Sequence, residues 1–319
     1  HRAHTKDTSV PYRIYKITKQ KTIMEALLSL SFDNLSSYDT LKIRKGLRQV
    51  EGLLAQICLS PAGGQASALN RRHSVIDPGT EPPPPPECKE LAELRDDLAF
   101  REFFKLQEGF EWNVAMRLVN CLDRLMGKSS DGQNDLCIIA TLDLIQGILL
   151  LHPPSRTLFS RELYMNHLLD LLEPVNCPAI QSATLLTLVC ALLDTPQNTR
   201  TFEALDGLLT VTSIFKSRST SRDVKLKLVE FLYFYLMPET PSIPSASASS
   251  AAPMLQRSPS KLAGAFNRGE NVGRRRSDSE SEVTRTTEEK QALLGRYLNS
   301  VDDLVADLRE STPFGGVVC

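Results

Sequence analysis

Strong chemical signals are scarce in this chain. No apolar run reaches the about 20 residues that a membrane-spanning helix needs. The most apolar stretch, residues 136–151, is interrupted by Asp143 and Gln146. No membrane insertion is therefore expected, and no secretory leader is visible. The net charge is −1 over 319 residues, so bulk electrostatics give no reason to expect nucleic acid or an acidic membrane as partner. Glycine loops for phosphate or dinucleotides are missing, as is the Gly-x-Ser-x-Gly elbow of hydrolases. The histidines at 1, 4, 73, 152 and 167 make no zinc spacing with the cysteines. No cysteine is preceded by His or followed six residues later by Arg, which excludes the phosphatase loop in which Arg holds phosphate over a thiolate. The seven cysteines are dispersed, mostly within apolar helical patterns. They read as reduced, buried thiols of an intracellular, cytoplasmic protein. Asp96-Asp97 and Asp302-Asp303 have the setting of solvated helix faces. No catalytic residue, cofactor or metal is expected.

What the chain does have is helical periodicity, cut by linkers. Residues 1–23 are basic and patternless until Met24 opens an amphipathic stretch. They read as an extension that is either foreign to the native protein or disordered. Over 24–60 the pattern predicts a short helix ending near Phe32 and a longer one from Leu41 to Leu59. Ser36 to Thr40 supplies the capping chemistry between them. Ile43, Leu47, Val50, Leu54 and Ile57 recur at three- and four-residue steps and share a face. Residues 61–87 form a linker whose Pro82–Pro86 run is either a stiff spacer or a ligand for proline-motif readers such as SH3 or WW domains.

From 88 to 238 the pattern predicts helices near 89–106, 111–126, 134–151, 161–172, 179–193, 197–204, 206–216 and 222–237. A repeat runs through them at 43 residues. Phe159 lies over Phe202, Leu168 over Val211, Leu171 over Ile214, Leu186 over Val229, Val189 over Leu232 and Leu193 over Leu236. That period, with two or three helices per unit, falls in the armadillo/HEAT range. The fold expected is therefore all-α, an armadillo-like helical repeat; an irregular bundle is the alternative. Residues 239–285 have the composition of a disordered Ser/Pro-rich tail. A C-terminal amphipathic helix is expected over 286–310, opened by the capping box Thr286–Glu289. Its stripe of Leu294, Tyr297, Leu298, Val301, Leu304, Val305 and Leu308 must dock, on the repeat or on a partner. Residues 311–319 read as a disordered end.

Two functional candidates follow from the residues. The last repeat ends in Phe231, Tyr233, Phe234 and Tyr235 ahead of Pro238. This aromatic surplus marks a surface for the C-terminal stripe or for a partner. Ser74, Ser258 and Ser277 follow or precede basic and proline signals of kinase substrates in flexible segments, and are candidate phosphosites.

Tyr38-Asp-Thr-Leu-Lys-Ile-Arg-Lys-Gly-Leu-Arg48, within the longer string Ser31–Cys58, has a distinctive companion in Lys227-Leu-Val-Glu-Phe-Leu-Tyr-Phe-Tyr-Leu-Met-Pro-Glu239. With Thr286-Thr-Glu-Glu-Lys-Gln and Ser311-Thr-Pro-Phe-Gly315, these stretches resemble the fungal cell division control protein 14 family of the septation initiation network. This is not the phosphatase that shares the name. The resemblance runs from Met24 to about Gly315. It implies a noncatalytic scaffold that binds a sterile-20-like protein kinase of the network. It also implies action at the spindle pole body, coupling mitotic exit to septum formation and cytokinesis. The rival expectation is a purely structural adaptor of the spindle pole body or polarity machinery, without a kinase.

Overall fold

A computed structural model describes residues 9–59, 88–127, 132–239, 284–303 and 306, with side chains from residue 21 onward. Among these residues the fold is all-α. Its helices are α1 (Ser9–Leu35), α2 (Thr40–Cys58), α3 (Leu91–Asp96), α4 (Leu98–Glu108), α5 (Val114–Met126) and α6 (Asp135–Leu151). After a 3-10 helix (Pro153–Ser160) come α7 (Glu162–Leu171), α8 (Pro178–Leu192), α9 (Pro196–Ala204), α10 (Gly207–Lys216), α11 (Arg222–Leu236) and α12 (Thr287–Leu294). No single described helix is long and apolar enough to cross a membrane. α6 and the 3-10 helix have the composition together, but meet at a 120° bend.

Four long helices, α2, α6, α8 and α11, lie side by side in that order. Each buries the same pattern of positions, at steps of four, three and four. These are Ile43, Leu47, Val50 and Leu54 on α2, and Ile138, Leu142, Ile145 and Leu149 on α6. On α8 they are Gln181, Leu185, Leu188 and Leu192, and on α11 Val224, Leu228, Phe231 and Tyr235. That spacing lines one face of a 3.6-residue helix. The last three sets are 43 residues apart. Met116, Phe159 and Phe202 are buried at the same spacing, as are Leu122, Met165 and Leu208. Polar clamps join successive units. Gln146 donates to the Ala183 carbonyl and to Thr187 Oγ1, both at 3.1 Å. Asn198 donates to the Arg156 and Ala191 carbonyls at 2.7 and 2.6 Å.

The 43-residue spacing expected from sequence recurs in these burials, and Leu232 and Leu236 are buried as expected, but the first long-helix pair is one residue off. Leu186 is exposed and Val229 half-buried; Leu185 and Leu228 are the paired core positions.

Three elements differ from expectation. α1 starts at Ser9, not Met24, so residues 9–23 continue a helix where an irregular extension was expected. The helix expected over 89–106 is split, because the Asp97 carboxylate accepts from the Ala99 and Phe100 N–H groups and starts a new helix there. The helix expected over 286–310 stops at Leu294 with Gly295 as its cap; Val301–Asp303 is helical again after a turn.

The ends of the 60–87 segment meet at an antiparallel bridge between Leu59 and Cys88. Cys88 is exposed, contrary to expectation, while Cys121 and Cys137 are buried. α1 packs along α2 at Gly46, where a Cβ would sit 3.0 Å from Asn34, Leu35 and Ser31 atoms, so the close approach of the two helices favours glycine there.

Candidate partner surface at the end of the last long helix

α11 opens with Ser221, whose hydroxyl accepts from the Val224 N–H. It ends at Leu236, ahead of Pro238, which cannot continue a helix. Its four aromatic candidates divide by helical phase. Phe231 and Tyr235, each 1% exposed, are core. They occupy on α11 the stations of Leu188 and Leu192 on α8. The Phe231 ring meets Phe202 edge-on with centroids 5.6 Å apart. Their assignment to a partner surface is thereby corrected. Tyr233 and Phe234 lie half-buried. Phe234 borders a small groove of about 130 Å3 between Leu193–Pro196 and Met237–Glu239, with Lys290 on its rim. Met237 is exposed beside it. Ser74, Ser258, Ser277 and the Pro82–Pro86 run lie outside the described residues.

The surplus apolar surface of α11 has a cover from this chain. Leu294, Leu298 and Val301 are buried, and α12 packs on α11. Tyr297 is half-buried, and its carbonyl accepts from Lys216 Nζ at 2.5 Å. The side chains of Leu304, Val305 and Leu308, expected in the same stripe, lie outside the description.

A charge cluster that sequence reasoning missed anchors this cover. Glu203 on α9 pairs with Arg200 at 2.6 Å and with Arg285, and accepts the Tyr235 hydroxyl at 2.8 Å. Glu239 pairs with Arg200 and, at 3.3 Å, with Lys290. The Arg285 N–H donates to the Glu239 carboxylate at 2.9 Å, and the Glu239 N–H donates to the Arg285 carbonyl at 3.0 Å. Lys290 Nζ also donates to the Met237 carbonyl at 2.9 Å and sits 5.2 Å from the centre of the Tyr235 ring.

Burial pushes the Lys290 ammonium below its ordinary range despite the carboxylate of Glu239. Burial, then the neighbouring Glu203 charge, pushes the Tyr235 phenol far up. Burial works against the charge on Arg200, but its bonds to Glu203 and Glu239 outweigh that and raise it. No local sequence signal announces a cluster assembled from residues 200, 203, 239, 285 and 290. Charge pairs this far apart in the chain carry no periodicity. The cluster fixes one segment on another and places no nucleophile beside a base. Among the described residues no group of three or more His, Cys, Asp or Glu is placed to hold a metal ion.

Comparison with known proteins agrees with this architecture in extent. The chain is 29% identical over 301 residues to "Cell division control protein 14" of Schizosaccharomyces pombe, covering 92% of this chain and 97% of that protein. No solved structure matches the chain. The family described as "Cell division control protein 14, SIN component" matches over residues 24–314. That span takes in the whole row of long helices and the docked C-terminal segment, and on it the chain belongs to the cell division control protein 14 family of septation initiation network components.

Proposed function

We propose that the chain is a noncatalytic scaffold, an armadillo-like array that binds a sterile-20-like protein kinase of the septation initiation network. In this reading it promotes septum formation and cytokinesis at mitotic exit, and acts in the cytoplasm at the spindle pole body. Family membership supports the septation role. The observation that carries the scaffold reading is the run of buried positions repeated on α2, α6, α8 and α11. Side-by-side helices repeated in this way present long continuous faces, which is how helical solenoids bind partners. Phosphorylation of Ser74, Ser258 or Ser277 would adjust this scaffold by adding charge to its linkers.

The contact proposed for the kinase is the rim formed by Tyr233, Phe234 and Met237, which remains accessible beside the docked C-terminal segment. The test is a pull-down of the purified kinase by the Tyr233→Asp/Phe234→Asp variant, run beside a thermal melt. The expected result is lost capture with a melt close to that of the parent protein. Full capture by the variant would remove this rim from the reading. Failure of the parent protein to bind the purified kinase would remove the kinase itself.

A further inference from the structure

The opposite end of the long-helix row carries a second surface. α2 and α6 run parallel, with Thr40 Oγ1 donating to Asn134 Oδ1 at 3.4 Å near their N-terminal ends. A groove of about 400 Å3 opens between them. Leu47, Leu136, Ala140 and Leu144 make its apolar lining, and Arg44 and Arg48 stand on its α2 side. Leu136 is 72% exposed, and so is Leu41 at the corresponding station of α2.

The α2 side is also strongly basic. Lys42, Arg44, Lys45 and Arg48 are all exposed, and among the described residues none has an ion pair or side-chain hydrogen bond. Arg44 and Arg48 line the groove, while Lys42 and Lys45 carry the basic surface of α2 beyond its lining. The two glycines of these helix faces, Gly52 and Gly147, occupy matching stations, and a Cβ on either would meet nothing within 4 Å. Glycine destabilises a helix interior relative to alanine. Here no packing within the chain requires it.

We infer that this groove receives an amphipathic helix of a partner protein, with its apolar stripe on Leu136, Ala140 and Leu144 and carboxylates over Arg44 and Arg48. An apolar trough flanked by charge is the usual seat of such a helix, and opposite charge on the rim steers and orients it. Glu51 and Asp143 border the far half of the groove. They repel carboxylates there, so the acidic residues belong at one end of the partner helix, and that fixes its direction. The inference goes beyond the kinase reading, because the chemistry of the groove does not depend on which protein carries the helix.

The test places a photo-crosslinking phenylalanine analogue at position 136 of the full chain in dividing fungal cells, and sequences the adduct peptide. The expected adduct has apolar residues at three- and four-residue steps and carboxylates towards one end. Arg44→Glu/Arg48→Glu, on exposed side chains, should melt like the parent and lower adduct yield about tenfold or more, since like charges then face each other. The inference is overturned by an adduct to lipid or to this chain itself, or by a peptide without carboxylates. It is equally overturned by undiminished yield from the charge-reversed variant, or by no adduct above that from the same analogue at exposed Phe110. A kinase that fails to bind in the separate pull-down removes the kinase reading and leaves the groove standing.

Discussion

His152 shows how one residue links packing to pH. It follows the last turn of α6, its ring edge-on to Phe104 with centroids 4.5 Å apart and its Nδ1 2.8 Å from Ser155 Oγ. Burial lowers its pKa from the ordinary 6.5 to about 4. Between those values the unfolded chain holds the proton and the folded chain does not, so stability falls as pH drops from 6.5 towards 4 and is unaffected by this residue above 6.5. A His152→Asn variant keeps a polar atom near Ser155 and lacks the titration. Its urea midpoint should lie below that of the parent at pH 7.5, and the gap should narrow steadily towards pH 4. A constant gap would show that the imidazole stays solvated in the folded protein. At this same scale lies the error in the aromatic run. Residues 231–237 are apolar without interruption, so their composition cannot say which phase of the helix faces the row. The phase is set by the neighbouring helix: Leu188 and Leu192 on α8 place Phe231 and Tyr235 inside. On α2, where charges alternate with apolar residues, the buried face could be read directly.

Elements were most legible where a cap or a breaker marks them. α11 starts at a serine cap and stops ahead of proline, as expected, and α12 opens on its capping box, with Thr286 and Glu289 bonded reciprocally. The break at Asp97 carried a signal too, since aspartate is a preferred helix cap, but the apolar pattern continues across it and outweighed it. The C-terminal segment's choice between the repeat and a partner was not legible, because an apolar stripe names no surface. The cluster around Glu203 and Glu239 makes that choice. Removing one member of a buried ion pair leaves its partner uncompensated, at a cost of about 3 kcal/mol. Glu239→Ala strips the carboxylate from Lys290, leaving it only the Met237 carbonyl, and one of two carboxylates from Arg200, so hydrogen exchange should find α12 amides losing protection while α2 and α6 amides keep theirs. Pairing it with Lys290→Ala should restore part of the loss, as expected when the two charges act on each other. Unchanged protection of α12 in Glu239→Ala would mean that Leu294, Leu298 and Val301 hold the segment by apolar contact alone.

At the scale of the molecule, a repeating array and a single-core bundle differ in how they lose stability. Each long helix packs against its neighbours in the row, α2 on α6, α6 on α8 and α8 on α11, and their buried residues join one continuous apolar core. In such a row stability is close to a sum of unit and nearest-neighbour terms, and damage at one end stays there. Phe231 tests this, because it is buried at the last long helix and meets Phe202 edge-on. Phe231→Ala removes a buried ring, a change that costs about 3–5 kcal/mol where the surroundings cannot collapse. In a single-core bundle that loss lowers the protection of all slow amides together. In the array the loss concentrates in α9 to α12 and fades across α8, while α1 and α2 exchange as in the parent protein. Site-resolved hydrogen exchange on the full chain separates the two outcomes. The graded one is expected, because the positions buried on α11 repeat those on α8 and α6, and α11 packs on α8, α10 and α12 at one end of the row. Uniform loss from α1 to α12 would show that the 43-residue spacing is a pattern of sequence laid over one cooperative core.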